Sequence, residues 1–148
     1  MRFFEVVRDE CRKNEGEIKL PTRATKHSSG YDFYSPVDVT IPPHEMVMIW
    51  TDVKASMYWD NALLIMPRSS MGAQPIMIAN TIGNIDSDYY SNPKNDGNIG
   101  IRLFNLGDTP YEINVGDRIA QGIFVKYGTV KNDNATGERK SGFGSTGA

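Results

Sequence analysis

The feature that most restricts the fold of this chain is a rhythm of short apolar stretches separated by glycine, proline, asparagine and aspartate. Apolar or alternating runs recur at residues 3–7, 39–41, 46–50, 62–66, 75–79, 99–104, 111–115 and 118–127. A period of two turns one face of such a run to a core and the other to water, whereas a helix needs apolar residues three and four apart over a longer stretch. Pro42-Pro43 and Gly107-Asp108-Thr109-Pro110 punctuate the chain as turns. Asn95-Asp96-Gly97-Asn98 predicts a hairpin, because Asp-Gly accepts the positive φ angles of a type I′ turn. Only residues 9–14 and the stretch after Arg68 leave room for short helices. The pattern predicts an all-β domain, a sandwich or a barrel, and 148 residues are enough for one such core.

Composition removes several functional classes. There are 16 Lys and Arg against 18 Asp and Glu, a net charge of −2, so the basic excess of a nucleic-acid binder is missing. A phosphorylated ligand would have to be met locally by a few arginines, backbone N–H groups and a metal. No apolar run approaches the roughly 20 residues of a membrane span, and the first residues, MRFFEVVRDECRKNEGE, lack the pattern of a signal peptide. The expectation is a cytoplasmic protein without a membrane partner. Cys11 is the single cysteine and His27 and His44 are the only histidines, which argues against a disulfide, a structural zinc site and a Ser-His-Asp triad.

Residues 129–148 differ in kind. They are polar and glycine-rich, with Val130 as the one large aliphatic residue, and cannot bury enough surface to hold themselves in order. Yet Phe143 sits between Gly142 and Gly144, near Arg139, Ser141, Ser145 and Thr146. That mixture suits a flexible arm that orders over a ligand. The domain division expected is a barrel at 1–128 and an arm at 129–148.

Three other segments carry chemistry. Pro67-Arg68-Ser69-Ser70-Met71-Gly72 places a guanidinium and two hydroxyls at the end of a strand, where they and free N–H groups can meet phosphate oxygens. In Gly83-Asn84-Ile85-Asp86-Ser87-Asp88-Tyr89 two carboxylates two apart on an extended chain point the same way, and one of them held against water could act as general base. This segment begins the hairpin that Asp96-Gly97 would close. In Gly116-Asp117-Arg118-Ile119-Ala120-Gln121, Arg118 could form a buried ion pair, and Gln121 is an amide in a half-buried strand. Each segment alone fits a solvated turn.

Together and in order, with Ser29-Gly30-Tyr31-Asp32-Phe33 before them and Arg139 and Gly142-Phe143-Gly144-Ser145-Thr146-Gly147 after them, these segments resemble the five motifs of the homotrimeric dUTPase family. The resemblance runs from about Lys19 to the end of the chain. It implies a jelly-roll-like β-barrel, a trimer whose active sites each use three subunits, and Mg²⁺-assisted hydrolysis of dUTP to dUMP and pyrophosphate, which keeps uracil out of DNA and supplies dUMP for thymidylate synthesis.

The same resemblance implies a role for each site residue. Asp86 would be the general base that orients water against the α-phosphorus. Tyr89 would lie under the deoxyribose and exclude a 2′-hydroxyl. Asn84, Ile85 and Ile101 would form the hairpin that reads uracil, with Asn80 helping to hold the base. Arg68, Ser69, Ser70 and Gln121 would bind phosphates from neighbouring subunits, and Asp32 would touch Mg²⁺ through water. Arg139 would grip the γ-phosphate, and Phe143, Gly144 and Ser145 would close over the nucleotide. Ser29, Asp52 and Asn84 depart from the common pattern of Ala, Gly and an apolar residue, and residues 90–98 hold an insertion resembling that of Gram-positive bacterial and phage enzymes.

Two rival readings start from the same residues. A dCTP deaminase shares the implied fold but needs a glutamate at the pyrimidine, and no Glu lies between Glu45 and Glu112. A phage-type regulatory module would bind a protein partner through the trimer surface, with residues 1–17 and 90–98 the places to look.

Overall fold

The computed structural model describes residues 1–142. Twelve strands form within them: β1 (Phe3–Val6), β2 (Thr22–Arg23), β3 (Tyr31–Tyr34), β4 (Val39–Ile41), β5 (Met46–Trp50), β6 (Val53–Ser56), β7 (Asn61–Met66), β8 (Ile76–Ile78), β9 (Gly83–Asp86), β10 (Gly100–Asn105), β11 (Tyr111–Ile113) and β12 (Arg118–Lys126). The only helical pieces among them are 3₁₀ turns at Asp9–Cys11, Ser69–Ala73 and Ser87–Tyr89. The fold is all-β, as the alternation predicts. No helix of the described residues is long and apolar enough to cross a membrane.

Every strand pair is antiparallel. The largest sheet has the order β2-β3-β12-β7-β9, a second β5-β10-β8, and the pairs β1-β6 and β11-β4 complete the set. Phe33, Ile41, Ile49, Leu63, Ile99, Ile101 and Leu103 are fully buried and come from both larger sheets and their flanks, so one core serves the whole chain. Gly122 in central β12 is required by that packing. A Cβ there would stand 2.9 Å from Phe33 and 3.0 Å from Leu63, which would force two core side chains apart.

Three strands escape the sequence pattern. β2 has two exposed residues, too few for alternation to register. In β3 Asp32 and Phe33 are both buried, which breaks the period of two. β6 carries Lys54 in its interior and starts directly after Asp52, whose φ of 57° turns the chain. Asp52 explains its own departure from glycine. It holds the left-handed conformation with a wholly buried carboxylate that accepts from the backbone N–H groups of Lys13 and Asn14 and from the side chains of Asn14 and Asn98.

The expected hairpin at residues 95–98 is corrected by the structure. Asp96 and Gly97 do adopt positive φ, 59° and 85°. However, β9 pairs with β7 while β10 pairs with β5 and β8, so the turn closes a loop between two sheets. The Asn92 side chain captures the backbone here, donating to the carbonyl of Tyr89 and accepting from the N–H groups of Lys94 and Asn95. Backbone groups satisfied in this way are not offered to a ladder.

This loop is pinned to the N-terminal segment. Asp96, 2 % exposed, accepts from Lys54 Nζ at 2.9 Å and from the backbone N–H of Arg8 at 2.8 Å. Burial raises the cost of the Asp96 charge, but the bonds and charges of Lys54 and Arg8 outweigh it and lower its pKa below 3.8. Burial likewise disfavours the Lys54 ammonium, and Asp96 and Glu5 overcome it, raising that pKa above 10.5. The pair's contribution is therefore complete between the two ordinary values. It fades as pH falls through the depressed Asp96 value or rises through the elevated Lys54 value. Asp96→Ala leaves the buried Lys54 ammonium with the part-exposed Glu5 as its remaining carboxylate and strips the Arg8 N–H of its acceptor. It is expected to cost about 3 kcal/mol, the lower end for breaking a buried pair, read by urea unfolding at one protein concentration.

Candidate active site

β9 and the turn after it build one wall of a cavity of about 430 Å³ lined also by β5, β8 and β10. Asn80, Asn84, Ile85, Asp86, Tyr89, Ile101 and Arg139 all line it. Asn84 to Asp86 and Ile101 share its wall without pairing as a hairpin, because their strands belong to different sheets. Met46, Met48 and Arg102 also line it, and nothing in the local sequence marks them.

Asp86 ends β9, and Ser87–Tyr89 then folds into a 3₁₀ turn, so the extended alternation expected for Asp86 and Asp88 does not hold. Both carboxylates still reach one guanidinium. Arg139 Nε donates to Asp88 at 2.5 Å and Nη2 donates to Asp86. The Arg139 side chain is only 12 % exposed, and Asn84 Nδ2 donates to the other oxygen of Asp86 at 3.2 Å. Tyr89 is buried with its ring against Gly142, where any side chain would collide with the ring. Burial raises the phenol pKa above 10.0, against the smaller opposing effects of Asn95 and the Arg139 charge. Residues 139–142 therefore lie over the cavity. Phe143, Gly144 and Ser145 fall outside the described residues.

The remaining expected residues form a second cluster. Asp32, 6 % exposed, accepts from Arg68 Nε at 2.8 Å and from Arg118 Nη1 at 3.5 Å. Arg68 Nη1 also donates to Ser70 at 3.2 Å, and Ser69 and Ser70 stand exposed in the 3₁₀ turn that follows. Gln121 Nε2 donates to the carbonyl of Pro67 at 3.0 Å, while its Oε1 fills the space that a side chain at Gly30 would need. Residues from three separated segments are tied together here, and the ion pair expected for Arg118 forms with Asp32 but is buried only on the Asp32 side, the Arg118 side chain being half exposed.

The two clusters sit at opposite ends of β7. Asp86 is paired with Ala62, and Gln121 with Met66. Four residues of strand, roughly 13 Å, separate those positions. Within one chain the carboxylate of Asp86 and the cationic cluster at Arg68 thus belong to different openings. Arg68 and Arg118 line a separate cavity of about 250 Å³ with Asp117 and Tyr111.

Known proteins share the sequence and the fold of this chain. The sequence model of the dUTPase family matches residues 16–147. The deoxyuridine 5'-triphosphate nucleotidohydrolase of Lactococcus lactis is 38 % identical over 151 aligned positions, covering 100 % of this chain and 99 % of the relative. The crystal structure of dUTPase from Streptococcus mutans superposes with a TM-score of 0.79 at 32 % identity, covering 87 % of this chain and 98 % of that one. A dUTPase mutant from phage phi11 of S. aureus, whose structure describes the coordination of a structural Mg(II) ion, shares the fold with a TM-score of 0.69 at 23 % identity, over 91 % of this chain and 96 % of that one. A match over nearly the whole length, with the motif residues gathered into two clusters, makes the chain a member of the dUTPase family.

Proposed function

We propose that the chain hydrolyses dUTP to dUMP and pyrophosphate. The observation that carries this reading is the cavity in which Asp86, Tyr89 and Arg139 meet, in a chain of the dUTPase family. Uracil enters between β9 and β10, where backbone groups and Asn80 and Asn84 can read its edge. The sugar lies on Tyr89, which leaves no room for a 2′-hydroxyl. Asp86 takes the proton of a water that attacks the α-phosphorus, and pyrophosphate leaves. Arg139 shifts from the carboxylates to the γ-phosphate, a richer array of anionic oxygens. The barrel at 1–128 carries this chemistry and the arm at 129–148 closes over it, excluding bulk water.

No group of three His, Cys, Asp or Glu side chains among the described residues could hold a metal. Both oxygens of Asp32 already face arginines. The residues fit Mg²⁺ arriving on the triphosphate, bound mainly by phosphate oxygens and water, with Asp32 meeting it through water. Bound there, the ion would draw charge from the phosphate chain and align it.

The separation of the two clusters supports a homotrimer. Arg68, Ser69, Ser70 and Gln121 at one end of β7 serve the phosphates of a nucleotide held against a neighbour's Asp86. The β5-β10-β8 sheet also presents Met46, Met48, Trp50, Met77 and Phe104, all incompletely buried in the single chain. A regulatory protein partner would meet residues 1–17 and 90–98 as one surface, since Asp96 and Asn98 join them.

Pyrophosphate release from dUTP, dCTP, dTTP and UTP, with Mg²⁺ and then with EDTA, tests the function. Release from dUTP alone, lost with EDTA, is the expected result. Conversion of dCTP to a deaminated product, or inertness toward all four, would replace this reading by one of the rivals.

A further inference from the structure

The loop at 90–98 does not line the nucleotide cavity, but it holds Tyr89, which does. The Tyr89 hydroxyl donates to the carbonyl of Asn98 at 2.6 Å and accepts from Asn95 Nδ2 at 2.8 Å. Neither asparagine is loose. Asn95 Oδ1 accepts from Asn92 Nδ2 at 2.7 Å and from the N–H of Gly97 at 3.1 Å. Asn98 is fully buried and donates from Nδ2 to Asp52 at 2.8 Å and to the carbonyl of Cys11 at 3.2 Å. Gly97 lies so close under Tyr89 that a Cβ would stand 2.9 Å from the Tyr89 carbonyl oxygen, and its φ of 85° suits glycine. The phenol oxygen is thus gripped on both sides, and the ring can neither flip out of the cavity nor tilt within it without breaking a buried hydrogen bond.

We propose that Asn95 is a positioning residue for sugar discrimination: by fixing the Tyr89 hydroxyl it holds the ring where a 2′-hydroxyl would collide. The inference rests on the placement of the sugar against Tyr89 in the functional reading above. A steric filter works only as well as its wall resists displacement. UTP needs the ring to yield by a fraction of an ångström, whereas dUTP does not. Asn95 therefore acts on the difference between the two nucleotides more than on hydrolysis itself.

The test is the ratio of kcat/KM for dUTP to that for UTP, which does not depend on the fraction of folded enzyme. Asn95→Asp keeps Oδ1 for Asn92 and Gly97 and removes the donor to the phenol. It is expected to lower the ratio by roughly three- to tenfold, the worth of one net hydrogen bond. In a Tyr89→Phe background, where the hydroxyl is already gone, the same substitution should leave the ratio unchanged. An Asn95→Asp enzyme with the wild-type ratio would overturn the proposal, whatever happens to its melting temperature. So would an equal loss in the Tyr89→Phe background, which would assign the effect to the loop in general. A wild-type enzyme that fails to prefer dUTP would overturn the functional reading, and this inference with it.

Discussion

Asp86→Asn is expected to lower dUTP hydrolysis by about 10²- to 10⁴-fold, the range usual for loss of a general base. The substitution is isosteric, so the end of β9, the register with Ala62 and the wall of the cavity stay in place. An amide oxygen can still accept from Asn84 Nδ2 at the distance of 3.2 Å found for the carboxylate. It cannot take the proton that an attacking water must lose. Nucleotide binding should survive, since Asn80, Asn84, Tyr89 and Arg139 are untouched and Asp88 still holds Arg139 when substrate is absent. Titration calorimetry with dUTP and a pyrophosphate-release assay on the same preparation separate the two quantities. Near-normal turnover would remove Asp86 from the role.

Deleting residues 140–148 is expected to cut turnover by roughly 10²-fold, the order seen when a single preorganised stabilising group is lost from a closed site. Ser141 is buried and Gly142 lies on the ring of Tyr89, so the described start of the arm already covers part of the cavity. Arg139 would remain but lose the segment that directs it. The barrel should not notice. Its core residues lie between Phe33 and Ala120, and the last strand ends at Lys126. The melting temperature of the truncated protein should stay within a few degrees of the wild type. Full activity after truncation would reduce the arm to a tail.

The sequence was most legible where a short apolar run is bounded on both sides by polar or turn residues. The runs at 39–41 and 46–50 became β4 and β5 with no change of boundary. It was least legible where a polar residue is buried for a reason far away in the chain. Lys54 sits inside β6 because Asp96 waits for it forty-two residues later, and no local window contains both. The turn at Asp96-Gly97 shows the same limit differently: local chemistry set its φ angles, but long-range pairing decided which strands it joins. The motif residues were identified by resemblance, yet their division between the two ends of β7 follows from strand register. Asn95 and Asn98 read as turn formers, and their bonds to the Tyr89 hydroxyl depend on the loop folding back over it.

The anchoring of the 90–98 loop limits how this protein can be rebuilt by recombination. Asn98 rests on Asp52 and Cys11, and Asp96 on Lys54 and Arg8, so the foundations lie in two stretches far from the loop along the chain. A chimera that swapped only the loop with that of a relative would leave behind the acceptors and cations it stands on. The transferable cassette is discontinuous: residues 8–14, residues 52–54 and the loop itself, moved as one.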